Sequence, residues 1–96
     1  MIRREGERLV LDGPVTLANV AGVLEEGRRC LAEGVRTVDL AEVSELDSSL
    51  LALLIAWKRE AGRRAQPLDF VNLPESLQTI ARLYGVSGLL APAVDR

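Results

Sequence analysis

Residues 37–57, TVDLAEVSELDSSLLALLIAW, carry the strongest structural signals of the chain. Thr37-Val38-Asp39-Leu40 has the composition of a short strand, and a short connecting segment from Ala41 to Leu46 follows it. Asp47-Ser48-Ser49 is a strong helix N-cap cluster. The leucine-rich run after it predicts a long helix that ends at about Arg64.

The residues before this stretch predict one further strand and one further helix. Residues 7–11 form a short strand that ends at the turn pair Asp12-Gly13, and Ile2-Arg3-Arg4 could pair with it as an edge strand. Thr16 is the expected N-cap of the next helix, and Gly34 is its expected C′ residue. The buried stripe of this helix recurs at steps of three and four: Leu17, Val20, Leu24, Gly27 and Leu31. Gly27 in that stripe suggests close packing against something flat.

The residues after the stretch predict a third central strand and a last helix. Gln66-Pro67 breaks the long helix, and Leu68-Asp69-Phe70-Val71 forms the strand. Pro74 is expected at the first helical position and Gly85 at the end. The buried stripe of this helix is Leu77, Ile80, Ala81 and Tyr84. Leu89-Leu90 is expected to pack a short final turn against the core.

The resulting order, β-α-β-α-β-α, predicts an α/β fold. The connections are long enough to join parallel strands, so right-handed crossovers place helices against a small, mostly parallel sheet. Ninety-six residues leave room for one domain, expected over residues 1–96 with its core at about residues 9–90.

The composition excludes several classes of function. With 48% apolar and 27% charged residues and a net charge of −2, the chain has the composition of a globular protein. An isoelectric point near 5.1 gives no general attraction to nucleic acid. There is no histidine, Cys30 is the only cysteine and the carboxylates are scattered. The sequence therefore predicts no metal site, no cofactor and no internal disulfide.

No segment is predicted to insert into a membrane. The longest apolar run, Leu50–Trp57, has eight residues, whereas a spanning helix needs about 20. The first residues carry two positive charges without an apolar stretch behind them, which is unlike a signal peptide. We therefore expect a soluble protein of the cytoplasm.

Asp47-Ser48-Ser49 is the most informative candidate site. Unpaired backbone N–H groups and a partial positive charge at a helix start would stabilise an anion or a phosphorylated hydroxyl. The simpler interpretation is that Asp47 or Ser48 only caps the helix. A catalytic Ser48 would need a nearby base, but the only lysine, Lys58, lies about 15 Å further along the helix axis. With no nucleophile elbow and no phosphate-binding glycine loop, we expect no enzyme activity.

The helix after this cap has an unusually wide apolar face. Its main stripe is Leu50, Leu53, Leu54, Trp57 and Ala61, and Leu51 and Ile55 widen it to about 200° of arc. A helix that packs on a sheet with one face needs only about 100°. The excess indicates either deep burial or a surface for another protein, including a second copy of the chain in a homodimer.

The chain resembles the STAS domain family from about Leu9 to Leu90. The residues that carry the resemblance are Val38-Asp39-Leu40, Val43, Leu46, Asp47-Ser48-Ser49 and the leucine-rich helix. Within the family it is most similar to the MlaB branch, through Leu51-Ala52-Leu53-Leu54, Phe70-Val71-Asn72-Leu73-Pro74 and the run from Ile80 to Val86.

The resemblance implies a binding protein. MlaB-like proteins are cytoplasmic adaptor subunits that hold the ATPase of an ABC phospholipid transporter, together with a permease and a lipid-binding subunit. They lie at the inner membrane through that partner, and the transporter maintains outer-membrane lipid asymmetry. The alternative is an anti-sigma factor antagonist that binds an anti-sigma factor kinase and is switched by phosphorylation, which would fall on Ser48.

Four residues are the expected partner-binding site: Asp47, Ser48, Ser49 and Leu50. The family pattern usually has a glycine at or near the position of Leu50, which implies that the core needs no side chain there. We therefore expect Leu50 to face outward toward a partner, and we leave open whether Leu53 and Trp57 do the same.

Overall fold

The computed structural model describes residues 2–90, which form four strands and four helices. In chain order these are β1 (Ile2–Glu5), β2 (Arg8–Val15), α1 (Val20–Ala32), β3 (Thr37–Leu46), α2 (Ser48–Arg63), β4 (Asp69–Val71), α3 (Glu75–Leu83) and α4 (Ser87–Leu90). The strands form one sheet in the order β1-β2-β3-β4; β1 and β2 are antiparallel, and the other two pairs are parallel. The predicted α/β class and mostly parallel sheet are confirmed, as is the edge strand at Ile2-Arg3-Arg4.

Strands β2 and β3 run further than their sequences predict. The turn expected at Asp12-Gly13 lies inside β2, and the connecting segment expected after Leu40 is the second half of β3. The two extensions pair with each other as far as Val15 and Leu46, with irregularities in the register on either side of Asp12-Gly13. Bulges let a strand continue through residues that are poor strand formers, including a proline. This pairing is a long-range interaction, which the local sequence does not encode.

Helix α1 begins later than predicted. Its N-cap is Asn19, not Thr16, and residues 16–19 form a turn before the helix. The Asn19 side chain accepts a hydrogen bond from the Thr16 amide at 2.9 Å and donates one to the Pro14 carbonyl at 2.9 Å. As a result Leu17 lies outside the helix with 77% of its surface exposed, so its predicted place in the buried stripe is wrong. The helix end is as predicted, because Gly34 follows the C-cap with φ +100°.

Helix α2 is buried to an unusual extent. Every residue of its main stripe, from Leu50 to Ala61, is buried, and so is Leu51. This helix packs between α1 on one flank and α3 and α4 on the other, with the sheet beneath it. The wide apolar face is therefore explained by deep burial. Leu53 and Trp57, at 2% and 0% exposure, belong to the core.

The last two helices also differ in detail from the prediction. Pro74, predicted as the first helical residue, is the N-cap of α3, so the helix begins one residue later than predicted. Leu77 and Ala81 are buried as expected, but Tyr84, the C-cap of α3, is 66% exposed, so its predicted place in the buried stripe is wrong. In α4, Leu90 is buried and Leu89 is exposed.

The turn after α2 offers a test by substitution. Ala65 has φ +52° and forms the left-handed turn that follows the C-cap, with the Gln66 amide bonded to the Ala61 carbonyl at 2.9 Å. The left-handed conformation costs a non-glycine residue about 1–2 kcal/mol. After the greater chain entropy of glycine is subtracted, we expect Ala65→Gly to raise the free energy of unfolding by about 0.5–1 kcal/mol. Urea denaturation measures this change.

Asn72 is the matched control for Ala65, because it has a similar φ of +57°. Its side chain also donates a hydrogen bond to Asp39 at 2.9 Å. Asn72→Gly should therefore give no net gain, since the relief of backbone strain is offset by the lost bond. An unchanged or lowered stability of Ala65→Gly would show that the turn is unstrained.

Candidate functional site

The candidate site lies where β2 and β3 end. These strands are parallel neighbours, so their carboxyl ends meet at one edge of the sheet. The turn at residues 16–19 follows β2, and Asp47 follows β3 as the N-cap of α2. The sheet thus brings Leu17 and the Asp47-Ser48-Ser49 cluster together, although they are 30 residues apart.

Asp47 links these two segments. One carboxylate oxygen accepts a hydrogen bond from the Ser49 amide at 2.8 Å, which is the predicted helix cap. The other accepts one from the Leu17 amide at 3.0 Å, a contact that the sequence did not predict. The Leu17 and Ser49 amides hold the pKa of Asp47 below its usual value. Asp47 therefore joins the turn at residues 16–19 to the start of α2, a link called the Asp47 clamp below. Because its pKa is lowered, its carboxylate is also a poor base toward Ser48.

Ser48 and Ser49 differ in exposure. Ser48 is the first helical residue and is exposed at the start of α2. Ser49 is half-buried and faces the space between α1 and α2. Lys58 donates to the Leu68 carbonyl and lies over the Phe70 ring, 5.5 Å from its centroid. Asp47 and Lys58 are both engaged elsewhere, and Ser48 is exposed at the start of α2.

Leu50 does not belong to this surface. Its side chain is fully buried in the core cluster, at 0% exposure. The expectation that Leu50 faces outward toward a partner is wrong. The first turn of α2 directs Ser48 outward and Leu50 toward the sheet, as the turn geometry requires of residues two positions apart.

An apolar groove opens beside the serines, between α1 and α2. Its volume is about 350 Å³. Its lining includes Leu17, Val20, Leu24, Ser49, Ala52 and Leu53. The sequence does not predict Leu17 as a surface residue, because a helix capped by Thr16 would include Leu17 in its buried stripe. Asparagine is favoured at a helix N-cap position, so Asn19 is the signal that places Leu17 outside the helix, although its side chain bonds Thr16 and Pro14 and not a helix amide.

Two further titratable side chains among the described residues, Glu60 and Cys30, have shifted pKa values. Glu60 is held by Arg63 and Arg64, which keep its pKa below the usual value. Cys30 is half-buried, and burial raises the pKa of its thiol.

Within residues 2–90 no cluster of three or more potential ligand side chains could hold a metal ion. None of the helices in this part of the chain is long and apolar enough to span a bilayer.

Two solved structures share this fold. The unphosphorylated anti-sigma factor antagonist SpoIIAA has a similar structure, with a TM-score of 0.72 and 16% identity over 99% of this chain and 88% of that one. The phosphorylated form of SpoIIAA, described as a Bacillus cell fate determinant, gives a TM-score of 0.67 and 18% identity over 99% and 91%. At these identities the likeness establishes the fold.

The sequence identifies the family. Residues 1–91 match the family described as Mlab, STAS domain, and the chain belongs to that family. No curated protein sequence matches it significantly. STAS domains are protein-interaction modules with a non-enzymatic regulatory or adaptor fold. The resemblance stated from the sequence is thereby confirmed at the level of the family.

The carboxylate of Asp47 makes the stability of the site depend on pH. Because folding lowers its pKa, the charged form stabilises the fold above the usual value of 3.8. This contribution to the free energy of unfolding is lost as the pH falls from 3.8 through the lower pKa that Asp47 has in the folded protein. We expect Asp47→Asn to lower stability at neutral pH and to flatten its loss on acidification, as measured by urea denaturation at a series of pH values.

Asp39 provides the control for this titration. Its pKa is also lowered, first by the Asn72 side chain and then by the Ala41 amide, and it lies on β3, away from the Asp47 clamp. Asp39→Asn should remove a separate part of the loss of stability at low pH. The effects of the two substitutions should add in the double variant. An acid profile of Asp47→Asn that equals the wild-type profile would contradict the clamp.

Proposed function

We propose that this protein is a non-enzymatic adaptor or regulatory subunit of an ABC-type phospholipid transporter that maintains outer-membrane lipid asymmetry. In this proposal it binds the ATPase subunit, and through it the permease and the lipid-binding subunit. It would be cytoplasmic and peripheral to the inner membrane. The observation that carries the proposal is the match of residues 1–91 to the Mlab branch of STAS domains.

The geometry of the site supports a docking role. Ser48 and Leu17 are both exposed, and the carboxylate of Asp47, the residue before Ser48, accepts hydrogen bonds from the Leu17 and Ser49 amides. Such a surface offers a hydroxyl and an apolar side chain on a fixed backbone, which suits recognition of another protein. We propose Asp47, Ser48 and Ser49 as the partner-binding residues, with Asp47 acting through the backbone that it holds, and we leave Leu50 out because it is buried.

Affinity purification from native membranes tests this proposal. The full chain carries a tag, the membranes are solubilised in mild detergent, and the co-purifying proteins are identified by mass. We expect an ABC ATPase with its permease, and a loss of about tenfold or more of the ATPase with Ser48→Arg. Ser87→Arg is the matched control, because Ser87 is also an exposed serine at a helix start but lies on α4.

A cellular measurement checks the same proposal independently. Deleting the gene should increase the leakage of a periplasmic reporter through the outer membrane, and the wild-type chain should restore the barrier. A barrier that is unchanged by the deletion, together with no recovery of an ATPase, would overturn the transporter assignment.

An anti-sigma factor antagonist is the second candidate. It is favoured by the similarity to both forms of SpoIIAA and by the exposure of Ser48 at the start of α2. Phosphate on Ser48 would add about −1.5 to −2 charges, which the helix dipole accommodates. Recovery of a soluble anti-sigma factor kinase in place of the ATPase would support this candidate. Equal partner affinity of Ser48→Asp and Ser48→Ala would exclude the phosphorylation switch.

A further inference from the structure

A group of exposed apolar side chains lies at the end of α3. Leu83 is 79% exposed, Tyr84 66% and Leu89 43%, and among the described residues Leu17 is the one other large apolar side chain that is exposed. Leu83 lies about 200° around the helix from the buried Ala81, so it points into solvent. The chain turns after Tyr84, and α4, which carries Leu89, packs back against α3. Large apolar side chains that are exposed together mark an interaction surface.

Arg82 is the only charged residue in this part of the chain. From residue 76 to residue 90 every other side chain is uncharged. Its guanidinium donates to the Thr79 hydroxyl at 3.3 Å, and it forms no ion pair with any residue from 2 to 90. We call Arg82, Leu83, Tyr84 and Leu89 the α3 patch. Tyrosine and arginine are, with tryptophan, the residue types that contribute most to binding at protein interfaces.

The α3 patch is separate from the candidate site at the start of α2. Leu17 lies on the side of α2 that faces α1, whereas α3 packs against the other flank of α2. Leu83 is also the last residue of α3, about 12 Å further along the helix axis than Glu75. A molecule bound at one of these surfaces therefore leaves the other free.

The charge of Arg82 restricts the chemistry of a partner. An entirely apolar surface placed over Leu83 and Tyr84 would take water from Arg82 without giving it a partner, which is costly. A carboxylate would instead accept a charge-assisted hydrogen bond from the guanidinium. The patch is also much smaller than the surface of about 800 Å² that each partner buries in a standard interface. It therefore suits a short segment and not a whole domain.

We infer that the α3 patch binds a short segment of another protein, one that carries two or three apolar side chains next to a carboxylate. In this arrangement Leu83 and Tyr84 contact the apolar side chains, and Arg82 pairs with the carboxylate. The inference goes beyond the proposed function, because it assigns a second surface that is free while the first is occupied.

A second copy of the chain is a less suitable occupant. A dimer with twofold symmetry would place the α3 patch against itself. Arg82 would then meet apolar groups and another Arg82, since residues 76–90 contain no carboxylate. Like charges that meet in an interface weaken it.

A lipid surface is also less suitable. Three side chains, one of them with a polar tip, bury less apolar surface than a myristoyl chain, which alone gives only marginal membrane binding. Recognition of anionic lipids uses clusters of about four to eight basic residues, whereas the patch has only Arg82. Charge and area together favour a protein segment.

Selection from a library of short random peptides displayed on phage tests the inference on the full chain. We expect the enriched peptides to combine apolar residues with an aspartate or a glutamate. The dissociation constant of one such peptide, labelled with a fluorophore, is then measured by polarisation. Leu83→Ser should weaken binding about tenfold or more, and Arg82→Glu should weaken it by a similar factor.

Two exposed residues outside the patch provide matched controls. Leu17, at 77%, is as exposed as Leu83, and Arg29 is an exposed arginine on α1. Leu17→Ser and Arg29→Glu should leave the dissociation constant within about twofold of the wild-type value. A peptide in which lysine replaces the acidic residue should bind Arg82→Glu more tightly than the wild-type chain. A misfolded variant would not show that preference.

The inference is overturned if no peptide is enriched, or if the enriched peptides bind Leu83→Ser and Arg82→Glu as tightly as the controls. A dimer by light scattering that Leu83→Ser dissociates would assign the patch to a second copy. Sedimentation with phosphatidylglycerol vesicles that Leu83→Ser abolishes would assign it to a membrane, and either result would overturn the inference. None of these measurements uses the ATPase, so the proposed function stands or fails separately.

Discussion

Replacing Gly27 by alanine is expected to lower the free energy of unfolding by about 3 kcal/mol, at the upper end of the usual cost of overpacking. A Cβ atom at Gly27 would lie 2.0 Å from Cζ2 and 2.4 Å from Cε2 of Trp57. The indole cannot move aside, because it is fully buried and its Nε1 donates to the Leu24 carbonyl at 3.1 Å. One methyl group therefore forces α1 away from α2.

Gly22 provides a control within the same helix. A Cβ atom there meets nothing within 4 Å, so Gly22→Ala should stabilise the protein by up to about 1 kcal/mol through helix propensity. Urea denaturation of both variants should give changes of opposite sign. Trp57→Phe in the Gly27→Ala background should recover part of the loss, which a double-mutant cycle measures. Losses that simply add would show that Gly27 and Trp57 are not in conflict.

Replacing Leu50 by alanine is expected to cost about 2–5 kcal/mol, the usual range for a fully buried leucine. A domain of this size has about 5–15 kcal/mol of stability in total. The side chain is 0% exposed and packs within the core cluster beneath α2. The variant should therefore unfold at a much lower urea concentration, while the fraction that remains folded binds its partner normally.

Leu17→Ala is the matched change at an exposed leucine. It should alter the free energy of unfolding by no more than about 0.5 kcal/mol. If the proposed docking surface is correct, it should instead weaken partner binding, so that the two leucines give opposite results in the two assays. If Leu50→Ala kept wild-type stability and impaired partner binding, the result would contradict the buried position of Leu50. It would support the outward orientation that the sequence predicts.

The structural features predicted correctly from the sequence are those that depend on interactions between neighbouring residues. Asp47 caps α2 as expected, because the cap depends on residues next to each other. Gly34 and Gly85 end their helices with positive φ, and the flat object that Gly27 was expected to meet is the Trp57 ring. The family resemblance also depended on such local motifs, and the match over residues 1–91 confirms it.

The failures have a common physical origin in contacts between distant segments. The length of β3 depends on its pairing with β2, and the place of Leu50 depends on how the first turn of α2 faces the sheet. The bond from Leu17 to Asp47 spans 30 residues, so no local pattern could have placed both in one site. The assignment of Asp47, Ser48 and Ser49 to partner binding stays a prediction.

The turn at residues 16–19 also has a consequence for the speed and cost of association. Its backbone is held by the Asp47 carboxylate, by the Asn19 side chain and by the Thr16 hydroxyl, which accepts from the Ala18 amide at 3.3 Å. The conformational entropy of this loop is thus lost during folding and is not lost again on binding. A partner would meet Leu17 already in position, so that docking is close to a rigid-body encounter limited by orientation.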